Sequence, residues 1–231
     1  MHSNRYIFIY STVKVIIVAI LLTVVAIGLK PKQQYNIKVE KMQNILASVN
    51  ILSTTKNAEE LFNKYIVDQK VIDVNGNEQP NLKAFDINVE QESKVPADKR
   101  KLPIYICKTD KGETKYILPT YGKGLWGPIW GYISVNDDKN TVYGSFFDHK
   151  GETPGLGAEI ATTAFQAQFA GKKLFDDNGT FVSIKAVKGG ADKNDVHGVD
   201  AISGGTITSN GLTKMLMDEL KPYENFLKQK N

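Results

Sequence analysis

Between Tyr6 and Leu29 the chain runs through 24 residues of almost unbroken apolar sequence, IFIYSTVKVIIVAILLTVVAIGL after the first tyrosine. No other stretch narrows the fold as much. As a helix, these residues at ~1.5 Å each reach about 36 Å, enough to cross the hydrocarbon core of a bilayer. Lys14 interrupts the run in its N-terminal half, where its stem lets the ammonium snorkel toward the nearer face. A cleaved signal peptide would have a shorter apolar core followed by a small-x-small site. Here Leu29 is followed by Lys30-Pro31-Lys32-Gln33, which offers none. The run therefore reads as a retained single-pass anchor. Arg5 and Lys14 on one side face Lys30, Lys32, Lys38 and Lys41 on the other, so charge alone does not fix its orientation. Counted naively, the positive-inside rule would leave the larger part in the cytoplasm.

Of 231 residues, those after the anchor make one domain of ordinary size. With 42% apolar and 10% aromatic residues the chain has the composition of a folded protein rather than a disordered one. Its net charge of +4 comes from scattered lysines, with no basic patch interleaved with aromatics, so nucleic acid is not an expected partner. Cys107, the only cysteine, excludes an intrachain disulfide and sits in an apolar strand pattern as a core residue. His149 and His197 have no cysteine partners at ligand spacing, so no metal site is expected. His197 reads as an exposed loop residue.

The pattern Ile37, Met42, Ile45, Leu46, Val49 predicts a helix from about residue 34 to 49, and Asn57 is placed to cap a second over residues 58–65, with Glu60 completing a capping box. Residues 70–101 mix short strand-like pieces (VIDV, AFDINV) with turn signals. Clearer strands follow at 102–107, 115–119, 130–135 and 141–147, separated by turns such as Thr109-Asp110-Lys111-Gly112. An alanine-rich helix is expected over 159–169 and another strand over 181–187, entered by Asp176-Asp177-Asn178-Gly179. Strands cluster in the middle with helices at both ends. The fold class is α+β: a transmembrane helix, then one domain with a mostly antiparallel, half-open sheet flanked by helices. The chain divides into an anchor (1–32), a helical connector (33–66) and a sheet domain (67–231).

Three clusters carry the chemistry. Asp200-Ala201-Ile202-Ser203-Gly204-Gly205-Thr206-Ile207-Thr208-Ser209 packs five hydroxyl or carboxyl side chains and two glycines into ten residues. Leu212, Met215, Leu216 and Leu220 then follow at helical spacing, so Thr206 lies at a helix start, where unpaired N–H groups suit an anion. On the residues alone a plain cap by Ser203 or Thr206 is the stronger reading, because a short Gly/Ser/Thr cluster is a weak phosphate signal. GKGLWGPIWG (residues 122–131) sets Trp126 and Trp130 among four glycines, either as a flat surface for a ring system or as core. HKGETPGLG (residues 149–157) is a strand-to-helix loop in which Thr153 is a local cap. No GxSxG elbow, P-loop or dinucleotide fingerprint is present, and no catalytic acid or base stands out.

VDAISGGTITSNGL (residues 199–212) resembles the flavinylation motif of the FMN-binding domain family, in which a threonine carries FMN through a phosphoester bond installed by a flavin transferase. GLWGPIWGY and ETPGLG resemble two further motifs of that family, in the same order along the chain. The resemblance implies covalent FMN, one per chain, on Thr206. Ser203, Gly204 and Gly205 would form the turn, and Asp200 the acidic position that the transferase needs. It also implies that Leu125, Trp126, Thr153 and Leu156 line the flavin, while Glu152 orders the loop or bonds the ring edge. Gly205 departs from the usual alanine, which makes the loop more permissive. LKPKQ (residues 29–33) and QNILASV (43–49) resemble the NqrC family, the flavin-carrying C subunits of the sodium-translocating NADH:quinone reductases. That likeness implies an electron carrier on the route to ubiquinone, held in the inner membrane with the FMN domain on the extracytoplasmic side. Its partners would be the other membrane and flavin subunits, membrane lipid, and the transferase. The G subunit of the related Rnf complex shares the threonine motif. A non-redox anchored binding module, whose loop only caps a helix, is the alternative from another class.

Overall fold

A computed structural model describes residues 3–229 and divides into two units, Met1–Lys41 and Met42–Asn231. The first is helical from Asn4 on, as part of α1 (Asn4–Ser48), which continues through Pro31. By length and composition α1 can cross a membrane, and its most apolar window is wholly exposed. The Lys14 ammonium lies 4.5 Å from the centroid of the Tyr10 ring, one turn back toward the N-terminus.

The second unit starts with the last turns of α1, where Met42, Ile45 and Leu46 are buried. After α2 (Ala58–Tyr65) comes a five-stranded antiparallel meander. Its strands are β1 (Ile66–Ile72), β2 (Leu102–Lys108), β3 (Thr114–Lys123), β4 (Pro128–Val135) and β5 (Val142–His149), in the order β1-β2-β3-β4-β5. Between β1 and β2 lies α3 (Val89–Glu92), and beyond β5 lies α4 (Thr163–Gln166). The strands β6 (Lys185–Val187) and β7 (Gly198–Asp200) form a separate parallel pair, ahead of α5 (Thr206–Leu220) and α6 (Glu224–Lys228).

Strand alternation gives the meander two buried faces. Leu118, Ile129 and Ile133 point into the core that holds Leu212, Met215, Leu216 and Leu220 of α5. Tyr105 and Tyr132 point the other way. On that face Phe62 of α2 lies edge-on to Tyr105, the Tyr105 hydroxyl donates to the Ala84 carbonyl, and the Ser134 hydroxyl donates to the Ser48 carbonyl at the end of α1. Cys107 is fully buried, and burial pushes its thiol up to about 11, which leaves it a core residue.

The α+β architecture, the antiparallel sheet and the flanking helices match the sequence expectation. Local departures have local causes. The alanine-rich stretch is not one helix: Thr162 takes extended backbone (φ −81°, ψ 145°) and accepts from the Phe165 N–H, so short 3-10 turns flank α4. The strand expected from Phe181 shrinks to β6, because Val182 and Ser183 both donate to the Leu174 carbonyl and Ser183 has φ +60°. AFDINV forms helical turns rather than a strand. Asn57 sits at the start of α2, but its side chain accepts from the Thr54 N–H and hydroxyl instead of capping. His197 is half-buried, with Nδ1 2.8 Å from the Lys173 carbonyl, rather than exposed.

Candidate flavin site at the start of α5

A cavity of about 370 Å³ opens where the β3–β4 turn, the loop after β5 and the start of α5 converge. Its lining includes Leu125, Trp126, Glu152, Thr153, Leu156, Gly204, Gly205 and Thr206, eight of the residues singled out by motif. Such a volume lies within the range of small-molecule sites, about 300–1,000 Å³.

Each element delivers its side chains for a physical reason. The β3–β4 turn projects Leu125 and Trp126, which are 44% and 69% exposed. Leu156 and Ile207, at 41% and 57%, complete an apolar rim. Four large apolar side chains left in water around one opening mark a surface built for an apolar ligand. Trp130, by contrast, is half-buried and pairs with Tyr121 across β3–β4, outside the cavity lining. The two tryptophans of one motif thus have different surroundings.

Gly204 has φ +73°, a backbone region that side chains rarely enter, and this turns the chain into α5. Gly205, at the cap position, has φ −101°, so only one of the two glycines uses that freedom. A Cβ at Gly205 would lie 2.8 Å from Cγ2 of Ile202, which gives the departure from alanine a steric reason. No side chain caps α5, so neither Ser203 nor Thr206 acts as the plain cap weighed from sequence. The first N–H groups of the helix are left to meet an anion.

The motif's hydroxyls sort themselves. The Thr208 hydroxyl is buried and donates to Glu152 Oε2 at 2.5 Å. The Ser209 hydroxyl accepts from the Ile202 N–H at 3.1 Å. Ser203 is exposed but lies outside the cavity lining. Thr206 is exposed and lines the cavity, and its hydroxyl has no hydrogen bond among the described residues. Asp200 lies at the end of β7, outside the lining; its carboxylate accepts from the Ala191 N–H at 2.8 Å. Thr153 acts through its backbone, its carbonyl accepting from the N–H groups of Leu156 and Ala158.

Gly157, Ile207 and Thr208 also line the cavity, and the sequence had not singled them out as site residues. Gly157 closes a motif already flagged. Ile207 and Thr208 directly follow the selected threonine, and their place beside it at the helix start was the available signal.

The fold and the cavity define a known class of domain: residues 124–221 match the FMN-binding domain family. Every residue of the cavity lining falls inside that stretch. Over most of its length the chain matches more specifically. It is 35% identical over 213 residues to the C subunit of the Na(+)-translocating NADH-quinone reductase of Vibrio vulnificus, covering 85% of this chain and 83% of that protein. With the C subunit of the Pasteurella multocida reductase it shares 38% over 207 residues, covering 81% and 78%. The crystal structure of the C subunit from Parabacteroides distasonis superimposes with a TM-score of 0.81 at 42% identity, covering 88% of this chain and 98% of that one. Shewanella oneidensis NqrC gives 0.69 at 29% identity, covering 83% and 98%. The chain belongs to the NqrC family, the C subunits of the Na(+)-translocating NADH-quinone reductases.

Proposed function

We propose that this chain is a membrane-anchored electron-carrier subunit of a sodium-pumping NADH:quinone oxidoreductase, with FMN joined to Thr206 through a phosphoester. The observation that carries this reading is Thr206: it alone among the motif's hydroxyls is exposed, lines the cavity and has no hydrogen bond among the described residues. The residues present fit the group. An apolar rim of Leu125, Trp126, Leu156 and Ile207 suits a flat ring system, and the uncapped start of α5 suits the phosphate. When bound, FMN supplies reversible electron transfer; the protein supplies position and a local field. Thr206 holds the phosphate end, the helix dipole stabilises its negative charge, and the rim shields the ring from water.

Residues 1–32 serve as a single-pass anchor in the inner membrane and 33–66 as the connector, with the 67–231 domain on the extracytoplasmic side. A covalent link there keeps the cofactor from diffusing away. A flavin transferase installs it by recognising the motif that includes Asp200. The other subunits of the reductase are the electron donors and acceptors, and family membership together with the long apolar helix supports that placement.

Co-expression of the chain with an active flavin transferase should give a protein band that fluoresces after denaturation. Thr206→Val should abolish the fluorescence while leaving the melting temperature within about 2–4 °C. A non-fluorescent parent protein, or a Thr206→Val protein that fluoresces equally, would overturn the proposal.

A further inference from the structure

Glu152 is the group in the cavity whose polar atoms are already engaged. It is 5% exposed, and both of its carboxylate oxygens are taken up inside the protein. Oε1 accepts from the Trp126 N–H at 2.8 Å, and Oε2 accepts from the Thr208 hydroxyl at 2.5 Å. Its own N–H donates to His149 Nδ1 at 3.2 Å, which fixes the loop carrying it to the end of β5. Two glycines wall the carboxylate in. A Cβ at Gly124 would lie 2.6 Å from Oε1, and one at Gly157 would collide with Oε2 and with the Thr208 hydroxyl together. Two hydrogen bonds at one buried side chain hold both donors to a single geometry.

The donors come from the two walls of the cavity. Trp126 belongs to the turn that presents the ring surface. Thr208 follows Thr206 by two residues on α5, so the buried hydroxyl sets the rotation of the helix's first turn and thereby the direction of Thr206. We infer that Glu152 is a positioning residue that joins the Trp126 wall to the Thr206 turn through its two carboxylate oxygens, so that the flavin ring and its phosphate are held in one fixed relation. The inference rests on FMN being bound at Thr206, and it settles between the two roles open to Glu152: it orders the site and does not bond the ring edge.

What Glu152 must supply is two links, and glutamine can supply both. Its carbonyl can accept from Trp126, and its amide can donate to the Thr208 hydroxyl. Alanine supplies neither. The experiment uses the full chain loaded in cells by the transferase, with visible-region circular dichroism of the attached flavin as the readout, normalised to flavin content. Glu152→Ala should lose at least half of the induced signal and load more slowly. Glu152→Gln should restore both to within about 20% of the parent. Thr208→Val should lower the signal in the parent background but add nothing to Glu152→Ala, while Thr208→Ser should keep it. A Glu152→Gln protein as defective as Glu152→Ala would overturn the inference, since the charge would then matter and not the links. So would a Glu152→Ala protein with an unchanged signal, or additive losses in the double variant. If the parent protein takes up no flavin, the reading of Thr206 fails instead, a result separate from these. Should Glu152→Ala not fold, the Thr208 pair decides: an unchanged signal in Thr208→Val overturns the inference.

Discussion

At its C-terminal end α5 is fastened; at its N-terminal end it is left open. Near the C-terminus Arg100 forms a buried ion pair with Glu219 at 3.0 Å and donates to the carbonyls of Ser93 and Val95 at 2.8 and 2.9 Å. One turn further on, the buried Tyr223 hydroxyl donates to the Pro103 carbonyl of β2 at 2.9 Å. The N-terminal end has a glycine cap, a left-handed turn and two exposed residues, Thr206 and Ile207. Two side chains tie that first turn to neighbouring loops, Thr208 to Glu152 after β5 and Ser209 to the Ile202 N–H just before the helix. One helix thus separates stability from function along its length. The Arg100 and Tyr223 contacts lie about three and a half turns or more from Thr206, so the open end stays exposed without endangering the fold.

The sharpest way to break this contrast is at the fastened end. Arg100→Ala removes one partner of a buried pair and strands the Glu219 carboxylate, which should cost about 3–5 kcal/mol in denaturant unfolding. The fraction that still folds should load flavin as the parent does. Loss of loading in that fraction would mean the two ends are coupled. At the open end, Gly204→Ala places a Cβ in a left-handed turn and against the Leu156 side chain. Stability should fall by only about 1–2 kcal/mol, while flavin loading falls severalfold, measured as absorbance per protein.

The fastened end also carries a pH dependence. Burial raises the Glu219 carboxyl above its usual 4.5, with Arg100 pulling the other way. The fold therefore favours the protonated form. That contribution to stability is fully present below pH 4.5 and is lost as pH rises through the higher folded value. Glu219→Gln lacks it, so the melting temperature of this variant relative to the parent should improve on going from about pH 4.5 to about pH 7. A constant gap across that range would contradict the assignment. The smallest effect on stability belongs to the rim. Ile207→Asn, at a 57% exposed position, should change stability by no more than about 0.5 kcal/mol. It should nevertheless alter the flavin's visible spectrum, because water reaches the ring more easily.

Much of this was readable in the residues, and what was not has a physical reason. The helical spacing of Leu212, Met215, Leu216 and Leu220 predicted both α5 and its buried face. Turn residues marked the hairpins, since Gly and Asx conformations are local properties. The three motifs named most of the cavity lining because their glycines and aromatics are adjacent in the chain. Pairings between distant residues were hidden. Arg100 and Glu219 are 119 positions apart, and Glu152 and Thr208 are 56 apart; neither pairing leaves a periodic trace. Residues 70–101 read as short strand-like pieces among turns and charged loop, with no role assigned, yet they supply the arginine that fastens α5. Helix continuity was misjudged over 159–169, where the Thr162 side chain offers the backbone an alternative partner that outweighs alanine's propensity.

The central claim is that Thr206 carries the cofactor, and peptide mass spectrometry of protein purified from its native membrane tests it most directly. An FMN phosphoester mass on the peptide containing Thr206, with Ser203, Thr208 and Ser209 unmodified, is the predicted result. An unmodified peptide from cells with an active flavin transferase, or the adduct on another of these hydroxyls, would contradict it.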